Sequence, residues 1–144
     1  MFNRDIGFYF VDIFIAFNKI ARYTFRFGDL ESFYHSELEW DAKIRELELL
    51  GEATKTLLNL NVINNKYIRI VDFRNQISHE YFGIDKEIIW DIVKNKLPEY
   101  IDELKEIVKD KNINLAEAII SAIEEKKFNK TVVQFLDKLR KELK

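Results

Sequence analysis

One proline, Pro98, and four glycines are all that punctuate these 144 residues. Proline and glycine supply most of the turns that strands and hairpins need. Their scarcity favours long helices joined by few loops. Apolar spacing agrees. Ile6, Phe10, Ile13, Phe17 and Ile20 follow a helical period through a first helix predicted over residues 4–26. Phe8, Val11, Phe14, Ile15 and Phe25 fall off that stripe. A helix apolar on more than one side is either central to the core or shared between the core and a subunit interface, and the spacing leaves both open. Gly28 ends this helix, and Asp29 or Ser32 can cap the short turn that follows.

A second helix is predicted over residues 36–60. Ser36 with Glu39 forms a capping-box pattern at its start, and Trp40, Ile44, Leu47, Leu50, Thr54 and Leu57 make its stripe. Gly51 stands mid-helix, where glycine costs up to about 1 kcal/mol relative to alanine. That cost predicts a close approach by another backbone. The carboxylates around it, Glu46, Glu48 and Glu52, read as a solvated face. Asn61 to Asn65 form a polar loop. A third helix over 66–78 carries Ile70, Phe73 and Ile77 on one edge, widened by Ile68 and Val71. Arg74 borders that apolar face and is not free to point straight into solvent. Gly83 is the expected stop and Asp85 the cap of the next helix, starting near Lys86. Its pattern (Ile88, Ile89, Ile92, Val93) resumes beyond Pro98 as Tyr100, Ile101, Leu104, Ile107 and Val108. Proline lacks a backbone donor, so a kink or a break with restart is expected near Lys96–Leu97. Residues 111–144 hold two short amphipathic segments. One carries Leu115, Ile119 and Ile123 behind Asn114; the other carries Val132, Phe135, Leu136 and Leu139 behind Asn129.

The expected fold is all-α, an up-and-down helical bundle of residues 1–110. Residues 111–144 add a C-terminal helical extension packed on the same domain. With 47% hydrophobic residues the chain suits one core. Cysteine is absent, which excludes disulfides and thiolate metal sites and fits a cytoplasmic location. No leader pattern opens the chain. The longest apolar cluster, residues 8–17, is broken by Asp12 and falls far short of the roughly 20 residues that span a membrane. Net charge is −2, but it is unevenly spread. Residues 1–28 carry +2, 29–60 carry −5, 61–83 carry +1, 84–109 carry −2 and 110–144 carry +2. Contact with nucleic acid would therefore need a local basic groove.

The stretch Arg74-Asn75-Gln76-Ile77-Ser78-His79-Glu80-Tyr81 gathers a guanidinium, an imidazole and a phenol. Histidine exchanges protons near neutral pH, and arginine offers a planar fork matched to phosphate oxygens. Together they are equipped to cleave RNA without a metal. His79 would move the proton of the ribose 2′-hydroxyl or of the leaving oxygen, and Arg74 would stabilise charge on the phosphorus. Tyr81 would position phosphate or stack on a base. At about 100° per residue, positions 74 and 79 lie roughly 140° apart on an ideal helix. They converge if the helix ends or distorts before His79, or if a two-fold dimer shares the cleft. On residue types alone, a histidine at a helix end is more commonly a cap or a satisfied surface group. His35 has no reactive neighbour, and the two histidines show no metal spacing.

The run Arg-Asn-x-x-x-His-x-Tyr from Arg74 to Tyr81, followed by Phe82-Gly83-Ile84-Asp85, resembles the signature of the HepT-like (DUF86) branch of the HEPN ribonucleases. Gly51-Glu52-Ala53 preceded by Arg45, and the later Ile89-Trp90-Asp91-Ile92-Val93 and Leu97-Pro98, extend the resemblance over residues 4–109. It implies a HEPN-like bundle and a metal-independent, cofactor-free endoribonuclease toxin acting on tRNA or mRNA as a homodimer. It implies Arg74 and His79 as the catalytic pair, with Asn75 ordering the site. It also implies a partner nucleotidyltransferase antitoxin of the MntA type that silences the toxin by adding AMP to Tyr81. The alternative is a non-catalytic HEPN interaction module serving a nucleotidyltransferase. A purely structural helical subunit would leave the polar cluster unexplained.

Overall fold

The structure, a computed structural model, describes residues 3–79 and 85–143; the side chains of residues 3–5 and 77–79 lie outside the description. Among the described residues the fold is all-α, with no strand. Helix α1 (Asn3–Phe25) leads to the short α2 (Leu30–Tyr34) and the long α3 (Glu37–Asn59). A 3₁₀ turn at Asn65–Tyr67 opens α4 (Ile68–His79). Helix α5 (Lys86–Asp91) runs through a π-helical turn, Ile92–Lys96, into α6 (Leu97–Asp110), and α7 (Ala116–Glu125) and α8 (Lys130–Glu142) follow.

Helix α1 is the axis of the bundle. Helix α3 packs along it, and α6, α7 and α8 cover its other sides. Burial therefore extends beyond the predicted stripe: Val11 and Phe14 are as sequestered as Phe10, Ile13 and Ile20, none more than 2% exposed. Of the two readings of α1, the central core helix describes its packing within the chain. Phe25, at its C-terminal end, is exposed. The last two helices join the same core, where Ile119, Val132, Leu136 and Leu139 are at most 1% exposed. The tail approaches α1 closely at Gly7, where an added Cβ would lie 3.0 Å from the backbone oxygen of Asn114.

Local sequence explains the boundaries. Asp29 caps α2, its Oδ1 accepting from Ser32 N at 2.8 Å, and Asp85 caps α5 through Glu87 N at 2.8 Å. Asn129 does the same for α8 through Val132 N at 3.2 Å. The capping box at Ser36 does not form. Ser36 occupies the N-cap position of α3, but its hydroxyl donates to Phe33 O at 2.6 Å. The carbonyl groups left open at the end of α2 take it first. Two helices stop at a left-handed asparagine in the place where glycine is usual. Asn61 and Asn112 adopt φ of 58° and 51°, the left-handed conformation that asparagine tolerates. Val62 N then bonds Leu57 O, and Ile113 N bonds Val108 O, both at 3.0 Å. Val62 and Ile113 fold into the core beneath these stops.

Pro98 sits in the first turn of α6, where its missing N–H costs least. Helical backbone is unbroken from Lys86 to Asp110, so the expected interruption takes the form of the π turn rather than a loop. A π turn holds an extra residue and displaces the carbonyl that the proline ring would strike in an α-helix.

Lys43 on α3 is fully buried, and its Nζ has no hydrogen-bond partner among the described residues. The amine lies 3.1 Å from the ring centroid of Trp40 and 4.3 Å from that of Phe33. Phe33 is itself packed against Phe27, Trp40 and Trp90. Desolvation pushes the Lys43 amine down from 10.5 to about 6. The ring faces act the other way, favouring the ammonium.

Candidate functional site

The site is built where α4 lies against α3. Gly51 faces Arg74: a Cβ placed on Gly51 would fall 2.5 Å from Arg74 Cγ and closer still to Arg74 Cβ. Carbon atoms in ordinary contact stand about 3.5–4.0 Å apart, so only glycine leaves room. The close approach predicted at Gly51 exists, but the root of an arginine side chain makes it, not a backbone.

With its stem laid over Gly51, Arg74 delivers its head to the next residue of α3. Nη2 forms an ion pair with Glu52 Oε1. Nη1 donates to Asn75 Oδ1 at 2.9 Å. Nε is buried, with no hydrogen-bond partner among the described residues. The Arg74 side chain is 24% exposed and that of Glu52 49%. Arg74 thus borders the apolar face as its spacing predicted. Glu52 is exposed, as the solvated-face reading of the α3 carboxylates expects, and it also pairs with Arg74. The reading fails at Glu46, which is buried with Lys19 Nζ 3.8 Å away. Periodicity placed these carboxylates correctly on the helix but could not show which cations the neighbouring helices bring.

Helix α4 continues through His79, its last residue. An early helix end therefore does not bring positions 74 and 79 together. The head of Arg74 is bonded to Asn75, and positions 75 and 79, four residues apart, share one helical face. The side chain of His79 lies outside the described residues, as do Glu80, Tyr81 and the expected stop at Gly83. His35 is exposed, with Nε2 3.5 Å from Glu31 Oε2, and stands apart from this site.

A groove of about 450 Å³ adjoins Glu52, between α1 and α3, with the end of α7 as a wall. Asp12, Glu46, Glu52 and Glu125 outnumber Lys19 and Lys126 there. Burial and then Glu125 push the Asp12 carboxyl up, while Lys126 draws it back. A second cleft of about 660 Å³ lies between the start of α4 and α6. Its floor is ordered by Tyr67, which donates to Glu103 Oε2 at 2.6 Å, and by the Tyr100 hydroxyl 2.7 Å from Thr54 Oγ1. That second bond ties α6 to α3 one turn beyond Gly51. Among the described residues no three histidine or carboxylate side chains gather as a metal site, and no helix is long and apolar enough to cross a membrane.

An all-α bundle that seats an arginine of one helix on a glycine of another, with a histidine five residues on, defines a narrow class. The family model described as "Ribonuclease HepT-like" matches residues 13–107. The chain is 36% identical over 115 residues to "Putative RNase MJ0127" of Methanocaldococcus jannaschii, covering 75% of this chain and 91% of that protein. It is 33% identical over 113 residues to "Putative RNase MJ0125" of the same organism, covering 75% and 95%. It is 32% identical over 93 residues to "Probable ribonuclease HepT" of Thermococcus cleftensis, covering 62% and 84%. The chain belongs to the ribonuclease HepT-like family. No solved structure matches it. The family match ends within α6, so α7 and α8 lie beyond it.

Proposed function

We propose that this protein is a metal-independent endoribonuclease that cleaves tRNA or mRNA. In this reading it is the toxin of a type VII-like pair with a nucleotidyltransferase antitoxin of the MntA type. The observation that carries the reading is Arg74: a partly buried guanidinium, seated on Gly51 and bonded to Asn75, in a chain of the HepT-like family. Arg74 holds the scissile phosphate and offsets charge in the transition state. His79 moves the proton, and Asn75 orders the fork. Residues 1–110 form the HepT-like domain, and residues 111–144 an extension on it. A homodimer with a shared cleft completes the site, which the 140° separation of positions 74 and 79 favours. AMP on Tyr81 would add a charged phosphodiester and a bulky base beside Arg74, and so exclude RNA.

The test is cleavage of tRNA and mRNA by purified protein in EDTA, comparing wild type with Arg74→Ala and His79→Ala. The reading expects cleavage by wild type that both substitutions abolish, with circular dichroism unchanged. Tyr81→Phe should still cleave but escape silencing by the antitoxin. The other reading, a non-catalytic module serving a nucleotidyltransferase, draws on the ion pair that already occupies one end of Arg74. No cleavage by wild-type protein with Tyr81 unmodified would favour it.

A further inference from the structure

We propose that Glu52 is a positioning residue for Arg74, fixing the guanidinium in the orientation that receives the substrate phosphate; this rests on the ribonuclease reading of Arg74. Three attachments hold the arginine. Its stem is wedged over Gly51, Nη1 is bonded to Asn75, and Nη2 is paired with Glu52. Nε is buried and cannot reach a ligand without movement of the stem. What remains for a phosphate is the outer end of the fork, the second N–H of each terminal nitrogen. A long side chain ordinarily loses its freedom when it binds. Here that loss has already been incurred in folding, so the fork is preorganised.

Glu52 also sets the side from which RNA arrives. The groove beside it is acidic, lined by Asp12, Glu46 and Glu125 as well. A phosphodiester backbone is repelled there. It meets Arg74 from the other flank, where Asn75 stands one turn before His79. Glu52 is about half exposed, so water damps its charge and leaves the arginine net attraction for phosphate.

The experiment combines kinetics with a direct view of the fork. RNA cleavage is measured for wild type, Glu52→Ala, Glu52→Gln and Arg74→Ala. Losing a partner that orients a metal ligand costs about 10–100-fold, and a loss on that scale is expected for a partner that orients a guanidinium. Glu52→Ala should lower kcat within that range and leave KM within about threefold. Glu52→Gln, which keeps an acceptor, should recover part of the loss. In parallel, ¹⁵N NMR of the guanidinium should show restricted rotation about Arg74 Nε–Cζ in wild type and averaging in Glu52→Ala.

A Glu52→Ala variant as active as wild type overturns the inference and leaves the ribonuclease reading standing. A wild type that cleaves no RNA overturns that reading and the phosphate role with it. Averaged Arg74 signals in wild type would remove the positioning contact whatever the cleavage result. Glu52→Gln, nearly isosteric, carries the test if Glu52→Ala proves unstable.

Discussion

Replacing Gly51 by alanine asks whether the seat beneath Arg74 is as tight as it looks. Two effects oppose each other. Alanine in a helix interior gains up to about 1 kcal/mol over glycine. The new methyl, however, would sit 2.5 Å from Arg74 Cγ and closer to its Cβ. Relieving that overlap to about 3.5 Å requires α4 to retreat by roughly 1 Å. The nearest colliding atom is the Arg74 Cβ, which the backbone fixes and no rotamer change can withdraw. Overpacking of this kind costs about 1–3 kcal/mol, so the net effect is a destabilisation of roughly 1 kcal/mol. In a domain of this size that lowers Tm by about 2–4 °C. Activity should fall further than stability, because a displacement on the order of 1 Å at a reacting group costs about 100-fold. The assay is a thermal melt by circular dichroism beside RNA cleavage at 25 °C. A Gly51→Ala protein with higher Tm and full activity would show that α4 does not bear on α3 at this point, and the account of the site would fall.

Two further outcomes follow from burial. Lys43 holds its proton in the unfolded chain up to about 10.5 but in the folded protein only up to about 6. Between those values the unfolded state binds more protons, so stability rises with pH through the window and levels off below 6. Lys43→Met should be the more stable protein at pH 7, and its advantage should shrink as pH rises towards 10; an advantage independent of pH, by chemical denaturation, would refute this. The second outcome concerns the tail. Ile119, Val132, Leu136 and Leu139 are almost wholly buried, each contributing roughly 1.5–3 kcal/mol, a sum comparable to the 5–15 kcal/mol stability of a typical domain. A chain ended after Lys111 should lose its cooperative melt, and a truncated protein melting within about 5 °C of the full chain would contradict the packing described.

The sequence showed its helices because they are long, regularly patterned and capped by residues such as Asp29, Asp85 and Asn129. It placed the end of the second helix before Asn61, but it did not show that Asn61 and Asn112 make the stops by doing what glycine usually does. The signal was present as an apolar residue, Val62 or Ile113, directly after an asparagine. The Ser36 box misled because its pattern takes no account of a competing carbonyl in the preceding helix. At the site, Gly51 and Arg74 were each legible as constrained positions. Their meeting was not, since they lie on different helices and no period links them. Glu52 was overlooked for the same reason, though it is the residue beside the glycine that a neighbour had to approach. Lys43 left no mark in the pattern, because a lysine within a helix normally reads as solvated.

The π turn at Ile92–Lys96 also makes the chain's length at that point a matter of phase. It carries one residue more than an α turn, and Pro98 stands just beyond it. Deleting a single residue there would restore ordinary helical geometry and leave the faces downstream in phase, because the wider turn already absorbs the extra residue. Ile101, Leu104 and Val108 would keep their places on the core, while Pro98 would bring its ring against an α-helical carbonyl. A one-residue deletion in this segment would therefore act on the proline and spare the face that α6 turns to the core, whereas the same deletion further along α6 would rotate that face away.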